Sequence, residues 1–203
     1  MRELKDILEG IFDVDDNTNN VDSAIVDDIR KFLNDNYKNP DKLNISKKPN
    51  KDGKYVVSSN DNIKFIGNSE TLTNGLFVFD NIITSFSCAM CDSLKTLEGA
   101  PKVVGKNFRC YECDSLKTLE GAPEKVGQHF DCKWCESLQS LKGAPKVVGG
   151  NFYCSYCKSL NSLKYAPKVV SVDFYCGNCA KPFTEDDVKK VSKVGCDIIA
   201  DNH

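Results

Sequence analysis

One 22-residue phrase is written four times in succession: CDSLKTLEGAPKVVGKNFRCYE from Cys91, CDSLKTLEGAPEKVGQHFDCKW from Cys113, CESLQSLKGAPKVVGGNFYCSY from Cys135 and CKSLNSLKYAPKVVSVDFYCGN from Cys157. A unit this short cannot bury an apolar face alone. Each copy must stack on its neighbours, so the chain is a solenoid and every other feature is read against its period.

The period governs the cysteines first. Ten of the eleven fall in five C-x-x-C pairs, Cys88/Cys91, Cys110/Cys113, Cys132/Cys135, Cys154/Cys157 and Cys176/Cys179. Neighbouring pairs reproduce a four-cysteine zinc spacing, and disulfides between coils are the other reactive reading. Against both, the same spacing joins every neighbouring pair of coils, and five pairs do not divide into foursomes. Side chains two apart on a strand share a face, so Phe86, Phe108, Phe130, Phe152 and Phe174 point inward with Cys88, Cys110, Cys132, Cys154 and Cys176. A buried thiol packs as a small hydrophobe. Packing is therefore the preferred role, and no cofactor or metal is expected. Leu94, Leu97, Ala100 and their equivalents complete the core. Pro101, Pro123, Pro145 and Pro167 would interrupt an α-helix, which predicts a return side of turns, extended pieces or short 3-10 segments. Gly105, Gly127 and Gly149 are expected to take a positive φ at the corner before the strand, although Ser171 stands there in the last copy.

The order V-G-x-x-F-x-C-x-x-C-x-S-L-x-x-L resembles the leucine-rich repeat, whose strand segment reads L-x-x-L-x-L-x-x-N-x-L, and most closely its cysteine-containing type. The match puts Phe at the fourth position, the first Cys at the sixth, and Cys91, Cys113, Cys135, Cys157 and Cys179 at the ninth, where the family has asparagine. It departs in its small first residue and in Cys for Leu at the sixth. The tandem words also resemble small bacteriophage-encoded tandem-repeat proteins, which bring no settled biochemical role with them. The resemblance implies an α+β fold, a parallel-strand solenoid of 22-residue coils closed by caps.

The flanking segments predict those caps. Residues 1–40 read as two amphipathic helices, over 2–12 and 21–37, joined by an acidic linker over 13–20. The first either packs on the second or docks on another protein. Asp22 or Ser23 is the expected cap of the second. Residues 41–84 read as a β-hairpin and a degenerate capping repeat, with Ile66 and Leu72 in the places of Cys88 and Leu94. The solenoid proper covers 85–181. In 182–203, Thr184 caps a helix ending near Val194, and a last strand follows over 196–200.

Composition narrows the function. A net charge of -2 gives no general attraction to nucleic acid or an anionic membrane. No run of about 18 apolar residues could span a bilayer. The start, MRELKDILEGIFDVDD, lacks the apolar core of a secretory signal, so a cytoplasmic setting is expected, either host cytoplasm or virion if the protein is viral. Phosphate-binding glycine loops are missing, and His129 and Cys132, three apart on a strand, face opposite sides. A non-enzyme is expected. What differs between copies is the set of outward residues: Arg109, Asp131, Tyr153 and Tyr175 in one row, Tyr111, Lys133 and Ser155 in the next, and Glu112, Trp134 and Tyr156 beside it. Asn107, His129, Asn151 and Asp173 precede the phenylalanines. Of these, Arg109, Tyr111, Asp131, Lys133, Trp134, Tyr153, Tyr156 and Tyr175 are the candidate partner-binding residues, because rigid aromatics anchor interfaces at little entropic loss. The competing reading is that these rings only cover the sheet, or that the N-terminal helices lie on them. Stacking on single-stranded nucleic acid is disfavoured by Asp131, Glu112 and Asp173. The leading expectation is a non-catalytic protein–protein interaction module. The alternatives are a virion structural or packaged protein attached through its N-terminal segment, and a zinc-stabilised repeat module.

Overall fold

The computed structural model describes residues 18–201; the helix expected over 2–12 lies outside them. Helix α1 (Thr18–Asn36) and a 3-10 turn (Pro40–Lys42) precede a hairpin of β1 (Asn44–Ile45) and β2 (Tyr55–Ser58). Short strands then alternate between two parallel ribbons. One ribbon has seven strands, β3 (Ile63–Lys64), β5 (Phe86–Ser87), β7 (Phe108–Arg109), β9 (Phe130–Asp131), β11 (Phe152–Tyr153), β13 (Phe174–Tyr175) and β15 (Ile198–Ile199). The other has five, β6 (Val103–Val104), β8 (Lys125–Val126), β10 (Val147–Val148), β12 (Val169–Val170) and β14 (Lys193–Val194). Between them in the chain come β4 (Phe77–Phe79), which pairs with β2, and a short helix α2 (Glu185–Lys189). The molecule is a parallel β-solenoid of about seven turns, and the return side is extended, as the prolines require.

Its core repeats with the sequence. The five phenylalanines are fully buried and contact their neighbours along the axis, with ring centroids 5.7, 5.3, 5.5 and 5.1 Å apart. Beside them the second cysteine of each pair reaches back one coil. The thiols of Cys113, Cys135, Cys157 and Cys179 donate to the carbonyls of Cys88, Cys110, Cys132 and Cys154 at 3.0, 3.1, 3.3 and 3.2 Å. Cysteine thus supplies coil-to-coil bonding where the resemblance implies asparagine.

The glycines differ from expectation. Gly105, Gly127 and Gly149 do not take a positive φ. They are glycine because the coils touch there: a Cβ on Gly127 would stand 2.0 Å from the Gly105 carbonyl oxygen, and one on Gly149 2.2 Å from that of Gly127. The left-handed corner falls instead at Gly99, Gly121 and Gly143 in the G-A-P word, and Tyr165 adopts it in the last copy with φ 71°. Gly127→Ala is therefore expected to lose about 1–3 kcal/mol by prying two backbones apart. Chemical denaturation should show it as a lower midpoint; Gly53→Ala, with open space around it, should lose about 1–2 kcal/mol through its positive φ alone.

The caps are partly as expected. The hairpin pairs Ile45 with Val57, and Asn50 Oδ1 accepts the amides of Asp52 and Lys54 in its turn. Helix α1 already includes residues 18–20 of the supposed linker, ahead of the expected cap, because polar residues lower helix propensity only by fractions of a kcal/mol. Its end closes the solenoid's first edge. Lys38 N donates to Lys64 O and Ile66 N to Asn36 O, at 2.9 and 2.8 Å, so β3 presents no bare edge there. In this first coil Ile63 pairs with Phe86, one position beyond the partner that the repeat spacing assigns it. That one-residue slip reverses the faces: Phe65 is buried in the Cys88 slot and Ile66 is 52% exposed, against the sequence alignment, while Leu72 is buried as expected. At the other end, Thr184 and Asp187 form a capping box, but α2 stops at Lys189. Lys193–Val194 pair with Val169–Val170, and Gly195 fits against the Ser171 carbonyl as Gly149 fits against that of Gly127.

Candidate interaction face

Because Phe and Cys fill the inside of the seven-stranded ribbon, the residue between them points out. Strand register sets Ser87, Arg109, Asp131, Tyr153, Tyr175 and Ile199 side by side. Parallel strands lie about 4.8 Å apart, a spacing that brings like side chains into stacking distance. The Tyr153 and Tyr175 rings accordingly lie 4.6 Å apart at 24°. Asp131 is a different case, since it is buried at 8% exposure. Burial raises its carboxyl's pKa, opposed by the Lys133 amide at 3.2 Å, the Lys133 ammonium at 3.6 Å and the charge of Arg109. It braces the face from within rather than offering a free contact.

The strands are so short that Tyr111, Lys133, Trp134 and Tyr156 stand in the turns that follow and not on the strand face expected for them. The Lys133 ammonium lies 5.5 Å from the centre of the Tyr111 ring and 5.9 Å from that of Tyr153. Met90, Glu112, Trp134, Tyr156 and Asn178 all take a left-handed φ between 53° and 62°. This conformation costs a side-chain-bearing residue about 1–2 kcal/mol. Backbone hydrogen bonds hold it: Glu112 N donates to Lys133 O, Trp134 N to Ser155 O and Tyr156 N to Gly177 O, at 3.0, 3.1 and 2.9 Å. The corner throws its side chains outward. Trp134, 41% exposed, lies flat on Tyr156 with centroids 4.0 Å apart at 3°.

The residues before the phenylalanines turn out to be structural. Asn62, Ser85, Asn107, His129, Asn151 and Asp173 each accept the backbone amide of the residue one coil further on, at 2.9–3.2 Å. Comparison of the copies groups four of them with the outward variable set. The signal that separates them is that every one carries a short acceptor. His129 Nδ1 is engaged with the Asn151 amide, and the Cys132 thiol donates to Tyr153 O. Among the described residues no three His, Cys, Asp or Glu side chains are grouped to hold a metal, and no helix is long and apolar enough to cross a membrane.

Comparison with known proteins gives no match: no family model, no curated protein and no solved structure aligns significantly with this chain. The candidate site therefore rests on geometry. Helix α1 does not lie on the aromatics; its ring contacts run from Phe32 to Phe77 and from the following Tyr37 to Phe65 and Phe79, all in the first coil and cap. The Tyr153–Tyr175 stack lies in the strand row with Arg109, Lys133 joins it to Tyr111, and the Trp134–Tyr156 stack stands at the corner that follows the strands.

Proposed function

We propose that the chain is a non-catalytic protein-binding module of the leucine-rich-repeat-like kind, which holds a protein partner against this aromatic side. The observation that carries the reading is the Trp134–Tyr156 stack. A flat pair of rings is displayed at a strained left-handed corner where glycine or asparagine would fold more easily. Pre-stacked rings have little rotamer freedom left to lose on binding, which favours them as anchors. The buried free thiols suit a reducing compartment.

The test compares affinity capture by the full chain with capture by Trp134→Ala/Tyr156→Ala and by Lys125→Ala/Lys146→Ala on the five-stranded side. The aromatic double variant is expected to retain its fold and weaken a specifically captured partner by about 30-fold or more, as removal of two hot-spot residues does. The lysine variant should capture as the unaltered chain does. Equal capture by a folded Trp134→Ala/Tyr156→Ala protein would overturn the reading.

A further inference from the structure

Trp134 has two ring faces and the fold uses one. Tyr156, one coil on, covers the first. The opposite face is turned towards Glu112, one coil back, across an open groove of about 600 Å³ lined by Met90, Asp92, Glu112, Asp114, Trp134 and Glu136. Charge in this groove is one-sided. Asp92, Asp114 and Glu136 hold the same place in three successive coils, and none of the ion pairs among the described residues involves them or Glu112. Other carboxylates on the solenoid do have lysine partners, as Glu120 has Lys142 and Glu124 has Lys146.

The rings nearby show what such a face attracts. Lys133 sits over Tyr111 and Tyr153, Lys158 over Tyr156 and Lys164 over Tyr165, each with its ammonium 5.0–5.9 Å from the ring centre. Indole is the strongest of the aromatic faces for a cation, yet Trp134 has no such partner among the described residues. Resting on the reading of this side as a protein-binding face, we propose that the groove takes a basic segment of the partner protein. One arginine or lysine side chain lies on the open face of Trp134, and its neighbours meet Glu112, Asp114 and Glu136. The exposed thioether of Met90 lies against the aliphatic part of the same side chain.

Trp134 is the sole tryptophan, so its fluorescence reports the groove directly. The probe is an end-blocked tri-arginine peptide titrated into the full chain, with tri-glutamate as the control. A saturable fluorescence change is expected, with protection of Trp134 from acrylamide quenching and weaker binding as salt is raised. The variant Glu112→Gln/Glu136→Gln should keep its melting temperature and bind the peptide about tenfold less tightly, the scale expected from two lost charge contacts. No saturable change at millimolar peptide, an equal response to tri-glutamate, or unaltered affinity in the glutamine variant would each overturn the proposal. Partner capture separates this from the broader reading. If Trp134→Ala/Tyr156→Ala loses the partner while tri-arginine leaves Trp134 untouched, the face stands and the basic segment falls.

Discussion

Raising the pH above 9 in the presence of reductant should unfold this protein within about two pH units, and thiolate should appear together with the loss of structure. Burial raises the thiols' pKa, to about 11 for Cys91 and Cys179 and about 12 for Cys157 and Cys176, against an ordinary 9.0. Cys88, Cys110, Cys132 and Cys154 are shifted in the same direction, by burial first and by neighbouring thiols second. The sign follows from the proton balance. A folded-state pKa above the unfolded one stabilises fully below pH 9 and is lost as pH climbs towards the folded value, because only the unfolded chain ionises in that window. Each deeply buried thiol then withdraws about 1.4 kcal/mol per pH unit. Cys91 and Cys179, nearer the surface, count for less. Several thiols moving together overtake the ~5–15 kcal/mol that a domain typically has in reserve. Circular dichroism and thiolate absorbance followed on one sample check this; thiolate beyond the single equivalent that exposed Cys196 can supply, growing in near pH 9 with the dichroism unchanged, would contradict it. At neutral pH a thiol reagent should label exposed Cys196 rapidly and the ladder cysteines slowly.

Phe130→Ala should be the most damaging single side-chain truncation in the solenoid, at about 3–5 kcal/mol. Phe130 is fully buried in the middle of the ring column, between Phe108 at 5.3 Å and Phe152 at 5.5 Å. Its removal opens a cavity that backbone ladders on both sides keep from collapsing. Phe130→Leu should recover part of the loss by refilling volume. Urea unfolding monitored by dichroism would give both values. A loss under about 1 kcal/mol for the alanine variant would mean that the column contributes little to holding adjacent coils together.

Much of this architecture is legible in the repeat. Parity on a strand puts Phe130 and Cys132 inside, where they are, and the prolines rightly exclude a helical return. What escapes is whatever depends on the distance between coils rather than on order within one. Gly127 signals a left-handed corner by its residue type, whereas its reason is a carbonyl oxygen of the neighbouring coil, which a single repeat does not display. The repeat pattern sets Trp134 on a strand face because no local rule ends the strand at Asp131; the corner is held by a bond to Ser155 in the following coil. The end coils mislead through length. From Ile63 to Phe86 the chain runs one position longer than the repeat, and from Phe174 to Ile198 two positions longer. A fixed period therefore sends Ile66 inward, while the Thr184 cap and the acids after it carry the expected helix through β14. The K-V-G of residues 193–195, matching that of 125–127, holds the correction for the second error.

The acceptors before the phenylalanines all point one way along the molecule. Each side chain, from Asn62 to Asp173, receives an amide from the coil that follows it, never from the coil before. A coil that has settled thus offers a waiting acceptor to the next stretch of chain, while the amides of Phe86, Phe108, Phe130, Phe152 and Phe174 reach forward to carbonyls of the following coil, so each new coil is met by partners of both kinds. Assembly begun at the sealed α1 end can proceed like a zip, each click setting the tooth for the next, in the same order in which a ribosome delivers the chain.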